Sequence, residues 1–133
     1  MNKKICIVMS TYNKNITDKL CNRAQSELKK SGYKKISIIE VPGSFEVPTV
    51  ISKIINKYDG FIAIGCIVKG ETANFDLISK AITDGIMQLS INKRKPIGNS
   101  ILTLFNKKQA FKRIKQGKEA AQAIYKVLKE NNY

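Results

Sequence analysis

The chain has 133 residues, 43% of them hydrophobic, and a formal charge of +14, which suits one domain with a real core and leaves no room for a second. It contains no histidine; this removes the usual metal ligand, the Ser/His and Cys/His nucleophile pairs and the commonest general base, so no metal site is expected. No stretch nears the roughly 20 apolar residues of a membrane span and the N-terminus lacks a signal-peptide pattern, so a cytoplasmic protein with no membrane partner is expected.

In chain order, Lys4 to Met9 is a short apolar run with the mark of a buried parallel strand, followed by Ser-Thr-Tyr-Asn. Asn15 reads as the cap of a helix through Lys30, with Asp18 in its first turn. Ile16, Leu20, Ala24 and Leu28 share one face of that helix, and Gly32 ends it in a left-handed conformation. Ile36 to Val41 is a second strand. Pro42-Gly43-Ser44-Phe45-Glu46 then turns the chain into a helix carrying Val47, Val50, Ile51, Ile54 and Ile55. Ser44 reads as its N-cap, Pro48 is tolerated in its first turn, and Phe45 reads as core.

Asp59-Gly60 opens the central strand, Gly60 to Val68, which has the look of a strand buried on both faces. Helical periodicity resumes near Ala73, with Phe75, Ile78, Ile82, Ile86 and Leu89 on one face. Pro96 to Leu104 carries a fourth strand, Asn106 caps a short helix to about Ile114, and Gly117 interrupts. Ala120, Ala121, Ile124, Val127 and Leu128 define a last helix. Strands alternating with helices predict the α/β class: a flavodoxin-like three-layer sandwich with helices on both faces of a four-stranded parallel sheet.

Cys6, Cys21 and Cys66 are odd in number and set in apolar or helical patterns, which predicts buried free thiols and no disulfide framework. Of 24 basic residues only Arg23, Arg94 and Arg113 are arginine. They are dispersed without an interleaved aromatic array, as on a solvated surface. An anionic substrate or nucleic acid is the competing reading, with nucleic acid the minority one.

Ligands of such folds sit beyond the carboxyl ends of the strands, which singles out Ser10 to Asn13, Val41 to Glu46 and Val68 to Asn74. The stretch Gly65 to Asp76, Gly-Cys-Ile-Val-Lys-Gly-Glu-Thr-Ala-Asn-Phe-Asp, places a glycine-bearing turn ahead of a helix. Unpaired N–H groups and the positive end of the helix dipole there could hold a phosphate. For Gly70-Glu71-Thr72 the competing reading is a plain loop whose Thr72 caps the helix; Glu71 suits a phosphate only if its carboxylate points away. Tyr12 offers a ring for stacking on a heterocycle and Asn13 a donor and an acceptor, or they are ordinary surface and a turn former. Glu46 suits hydroxyls, or serves as a charge in a first helical turn. Arg113 offers a planar fork to a phosphate, or is a solvated charge.

Val-Pro-Gly-Ser-Phe-Glu-Val-Pro (Val41 to Pro48), the Gly65 to Asp76 stretch, and Ile-Leu-Thr (Ile101 to Thr103) before Lys-Gln-Ala (Lys108 to Ala110) together resemble the 6,7-dimethyl-8-ribityllumazine synthase family. Ser-Thr-Tyr-Asn with Ile-Thr-Asp-Lys-Leu near the start fits the same family, and the likeness runs in order over nearly the whole chain. The resemblance implies the penultimate step of riboflavin synthesis, in which 5-amino-6-(ribitylamino)uracil condenses with 3,4-dihydroxy-2-butanone 4-phosphate without a cofactor. It also implies a homo-oligomer, a pentamer or an icosahedral shell, with active sites between neighbouring subunits.

By the same resemblance, Tyr12 stacks on the pyrimidine with Asn13 beside it, and Ser44, Phe45 and Glu46 hold the ribityl chain. Backbone around Cys66, Ile67 and Val68 meets the pyrimidine edge. Gly70, Glu71 and Thr72 form the phosphate turn, and Arg113 of an adjacent subunit reaches the phosphate. Departures stand beside these matches. Asn74 falls where the family usually carries a proton-transferring histidine, and asparagine cannot titrate near neutral pH. Asn99 falls at a position that is often aromatic and lines the pyrimidine pocket from the neighbour. Lys115 and Lys118 are candidates for a family lysine after Arg113, and Glu119 for the acidic group that follows. The family's extra N-terminal strand has no counterpart, which favours a pentamer over a shell. Two other classes remain open: a catalytically lapsed homologue that binds ribityllumazine or flavin, and a basic nucleic-acid-binding module.

Overall fold

The computed structural model describes residues 2–71 and 74–133. Its strands are β1 (Lys4–Ser10), β2 (Lys35–Val41), β3 (Gly60–Val68) and β4 (Ile97–Leu104). Its helices are α1 (Lys14–Lys30), α2 (Val47–Ile54), α3 (Phe75–Lys93), the single-turn α4 (Ala110–Arg113) and α5 (Gln116–Lys129). All strand pairs are parallel, in the order β2-β1-β3-β4. The four-stranded, three-layer α/β sandwich anticipated from the sequence is therefore the fold.

Each strand sends alternate side chains to opposite faces, and two separate cores result. Ile5, Ile7, Met9, Ile62, Ile64, Cys66 and Val68 face α1 and α5, where Leu20, Ala24, Leu28, Ala121 and Ile124 meet them. Cys6, Val8, Phe61, Ala63 and Ile67 face α2 and α3, against Val47, Ile51, Ile82 and Ile86. All nine residues of β3 are buried. That follows from its place between two strands and two helical layers, and each large side chain so buried contributes roughly 1.5–3 kcal/mol. All three cysteines are free and buried. Among the described residues no helix is long and apolar enough to cross a membrane.

Several local expectations give way to tertiary structure. α1 begins at Lys14, not behind an Asn15 cap, so Asp18 lies outside its first turn; Asn13 precedes it in the left-handed region at φ 60°. Asparagine tolerates that conformation, and the Asn13 carbonyl accepts the N–H groups of Ile16 and Thr17 at 2.9 and 3.1 Å. Ser44 is not an N-cap. It opens a 3-10 turn, Ser44–Glu46, with Gly43 ahead of it, and α2 follows with Pro48 in its first turn as anticipated. Phe45 is 60% exposed and not core, because that turn lies outside the sheet. Asn106 precedes a 3-10 turn, Lys107–Gln109, without a side-chain cap. Val127 is exposed on the outer side of α5. Gly32 does end α1 with φ 97°.

Gly117 does not interrupt the last helix. It is buried within α5, where a Cβ would overlap the backbone carbonyl oxygen of Leu20 on α1. At Gly98 a Cβ would come within 2.8 Å of the Ala120 carbonyl oxygen, so α5 is seated on both α1 and β4 through missing side chains. Alanine at 117 would gain about 1 kcal/mol of helix propensity. Overlap with backbone cannot be relieved by a rotamer change, so the upper part of the ~1–3 kcal/mol overpacking range applies. Gly117→Ala should therefore lower unfolding free energy by about 2 kcal/mol, read from urea denaturation; a neutral or stabilising effect would contradict this packing.

Candidate active site

The carboxyl ends of β1 and β3 lie side by side, but their chains leave to opposite faces, into α1 and α3. A crevice must open between them, and it holds a cleft of about 340 Å³ lined by Tyr12, Gly43, Ser44, Phe45, Cys66, Ile67, Val68, Glu71 and Ile78. Seven of these are residues named individually as site candidates from the sequence. The exit of β2 is drawn in by backbone: Thr11 N–H donates to the Val41 carbonyl at 2.8 Å and Tyr12 N–H to the Pro42 carbonyl at 3.1 Å. Tyr12, 57% exposed, and Phe45 thus stand as two aromatic groups on the rim.

Behind them the Ser44 hydroxyl is buried and has no hydrogen-bond partner among the described residues. It lies so close to β3 that a Cβ on Gly65 would overlap its Oγ. A buried hydroxyl without a partner is unfavourable, and Ser44 is also a lining residue of the cleft, with its Oγ buried behind the surface. Glu46 does not line the cleft; a Cβ on Gly43 would stand 3.1 Å from its Oε1, so its carboxylate lies back over that glycine.

Asn13 also lies off the lining but ties the site together. Its Nδ2 donates to the Cys66 carbonyl at 3.5 Å and to Glu71 Oε2 at 3.3 Å. The other Glu71 oxygen is paired with Lys107 Nζ at 3.1 Å. Gly70 turns with φ 93° and open space where a Cβ would stand, a conformation that suits glycine. Thr72 lies outside the described residues. Asn74 is exposed just ahead of α3, and its carbonyl accepts the Ile78 N–H at 2.9 Å.

Arg113 and Asn99 do not line the cleft of their own chain. Arg113 ends α4 in an exposed position, and Asn99 is exposed on the edge strand β4, its Oδ1 accepting the Ile101 N–H at 3.0 Å. Lys115, Lys118 and Glu119 are exposed at the start of α5. Sequence reasoning missed Lys107 as a site residue. Its link to Glu71 spans the sheet edge and leaves no local pattern. Gly43 and Ile78 were read only as turn and helix-face residues. Among the described residues no group of three His, Cys, Asp or Glu side chains could hold a metal ion.

Burial pushes the Cys66 thiol up to about 11, with the Glu71 carboxylate acting in the same direction and Lys107 against it. The neutral thiol is therefore the form present near pH 7, and it is no nucleophile.

Crevices of this kind, at the point where strand order reverses, are where doubly wound α/β sheets take small polar ligands; the chain is a protein of that class. A sequence model of the 6,7-dimethyl-8-ribityllumazine synthase family matches residues 2–132. A protein of that name from Leuconostoc mesenteroides is 37% identical over 133 residues, covering 96% of this chain and 85% of the relative. The one from Bartonella bacilliformis is 37% identical over 123 residues, covering 90% and 80%, and that from Corynebacterium kroppenstedtii 34% over 110, covering 83% and 69%. The chain belongs to the 6,7-dimethyl-8-ribityllumazine synthase family.

The raised thiol pKa has a measurable consequence. A buried neutral thiol stabilises the fold below the reference value of 9.0 and progressively less as pH rises through about 11, because the unfolded chain ionises first. Alkylation of Cys66 in the native protein, followed by mass spectrometry, should be negligible at neutral pH and climb only towards the alkaline limit. Ready modification at neutral pH with the fold intact would contradict the described environment.

Proposed function

We propose that the cleft performs the reaction that names the family, condensing 5-amino-6-(ribitylamino)uracil with 3,4-dihydroxy-2-butanone 4-phosphate to 6,7-dimethyl-8-ribityllumazine, with loss of phosphate and water. The observation that carries this reading is the convergence in one cleft of Tyr12, Ser44 with Phe45, and Cys66, Ile67, Val68 and Glu71, from three separated sequence motifs. A DNA- or RNA-binding module has no comparable support. The enzyme is a transferase that needs no cofactor and works in the cytoplasm.

In this reading Tyr12 stacks on the pyrimidine, whose edge meets the backbone of Cys66, Ile67 and Val68. Ser44 donates or accepts with a ribityl hydroxyl, Phe45 covers the chain, and Glu46 turns towards its hydroxyls when ligand enters. The turn of Gly70, Glu71 and Thr72 receives the phosphate through its backbone, with the Glu71 carboxylate pointing away. Asn74 orients a carbonyl, amine or water next to the reacting atoms. Arg113 and Asn99 serve the cleft of a neighbouring copy, which is why neither lines its own. Homo-oligomerisation is consistent with exposed Leu77, Met87 and Ile91 on α3 and with exposed Phe105 and Phe111. We take the assembly to be a pentamer.

Without histidine, acceleration comes chiefly from holding an amine and a reactive ketone together in the right orientation. General acid-base assistance typically adds ~10²-fold or more, so the enzyme should be slower than relatives that carry histidine at position 74. Lumazine formation from both substrates above the uncatalysed background is the expected result. Ligand binding with no product would favour the lapsed homologue. Asn74→His should raise turnover at least severalfold and introduce a pH dependence near ~6.5; no gain with the fold intact would mean that the site is built around asparagine.

A further inference from the structure

Lys107 belongs to none of the motifs that mark the site, yet the fold delivers it there. Val68 at the end of β3 is in register with Leu104 at the end of β4, and Lys69 N–H donates to the Leu104 carbonyl at 2.8 Å. The two strand exits are thus clamped side by side. Three residues past β4, Lys107 Nζ reaches Glu71 Oε1 at 3.1 Å, while Asn13 Nδ2 holds Oε2 at 3.3 Å. The Glu71 side chain is only 25% exposed, against 59% for Lys107.

A turn that receives a phosphate has an electrostatic difficulty if it carries a carboxylate one residue after its glycine. Like charges at close range oppose binding, and the opposition grows as water is excluded. Asn13 can hold the carboxylate in place but, being neutral, cannot offset its charge. Lys69 lies over the Phe105 ring, 5.5 Å from its centroid, and Arg113 does not line this cleft. Among the described residues, Lys107 is the cation paired with Glu71.

We propose that Lys107 is a positioning residue of the phosphate turn: by pairing with Glu71 it neutralises the carboxylate and pins it against Asn13, so that the turn accepts the phosphate group of the substrate. The inference rests on assigning the turn at Gly70 and Glu71 to the phosphate under the proposed function. It makes affinity for the phosphate-bearing substrate, and for released inorganic phosphate, depend on a side chain that touches neither reacting centre. The pyrimidine half of the cleft is independent of it.

The test uses the full chain in steady-state assays, with inorganic phosphate as inhibitor and far-UV circular dichroism as the check on folding. Lys107→Met should raise KM for 3,4-dihydroxy-2-butanone 4-phosphate about tenfold and weaken phosphate inhibition in parallel. The pyrimidine KM and kcat should stay within about twofold, since neither depends on this charge. Lys107→Arg should keep the pair and behave as wild type. Adding Glu71→Gln to Lys107→Met removes the charge that needs compensation and should return the phosphate-substrate KM most of the way. Unchanged KM in Lys107→Met, with wild-type phosphate inhibition intact, overturns the role of Lys107 alone; so does a double variant as impaired as the single. Wild-type enzyme that inorganic phosphate does not inhibit overturns the assignment of the turn, and this inference with it.

Discussion

The parallel pairing of β1 with β3 is the constraint on which the rest of the molecule depends. Parallel neighbours cannot be joined by a tight turn, so each strand must hand its chain to a helix. Here the two hand over to opposite faces, α1 on one and α3 on the other. The gap this leaves at the carboxyl edge is not a flaw in packing. It follows from strand order, and the sheet supplies it already walled by strand-end backbone on two sides.

The molecule keeps its stability and its chemistry in different layers. The two apolar cores run along the sheet and contain almost no polar side chains; Ser10, Thr17, Ser44 and Ser100 are the buried polar residues among those described. Thr17 spends its hydroxyl on the Ser10 carbonyl at 2.8 Å, closing the β1 exit over α1. Charged and hydrogen-bonding groups collect instead at the rim, where loops can vary without opening a core. Glu71 shows how such a rim is held in order: one oxygen goes to an amide and the other to an ammonium group, from segments 58 residues away on one side and the far side of β4 on the other.

The strands were legible in the sequence because parallel strands covered on both faces are apolar nearly throughout, as Gly60–Val68 is. The helices were legible from their apolar faces, but their beginnings were not. Asn15 has the side chain of a cap, whereas the chain enters α1 through the left-handed backbone of Asn13, whose carbonyl and not its side chain serves the first turn. Gly117 looked like a break because the cost of glycine to a helix is local and visible, while its benefit depends on Leu20, 97 residues earlier. Phe45 looked like core because it is aromatic; only the position of its turn puts it on the rim of a cleft. Most lining residues were found through the carboxyl-end rule and the family motifs together. Lys107 escaped both, since a contact between the exits of β3 and β4 has no signature within either segment.

Core and rim meet at Gly65 and Ser44. The glycine sits in the middle of the most buried strand, and the serine Oγ occupies the space its missing side chain leaves. These two positions, 21 residues apart, share one small volume and must divide it between them. In descendants of this chain any gain of bulk at one site has to be matched by a loss at the other. Under the proposed role of Ser44, position 65 is thereby bound to the ligand's needs although no ligand need ever touch it. Drift in the strand interior, which elsewhere answers only to packing, would on that reading answer to the substrate as well.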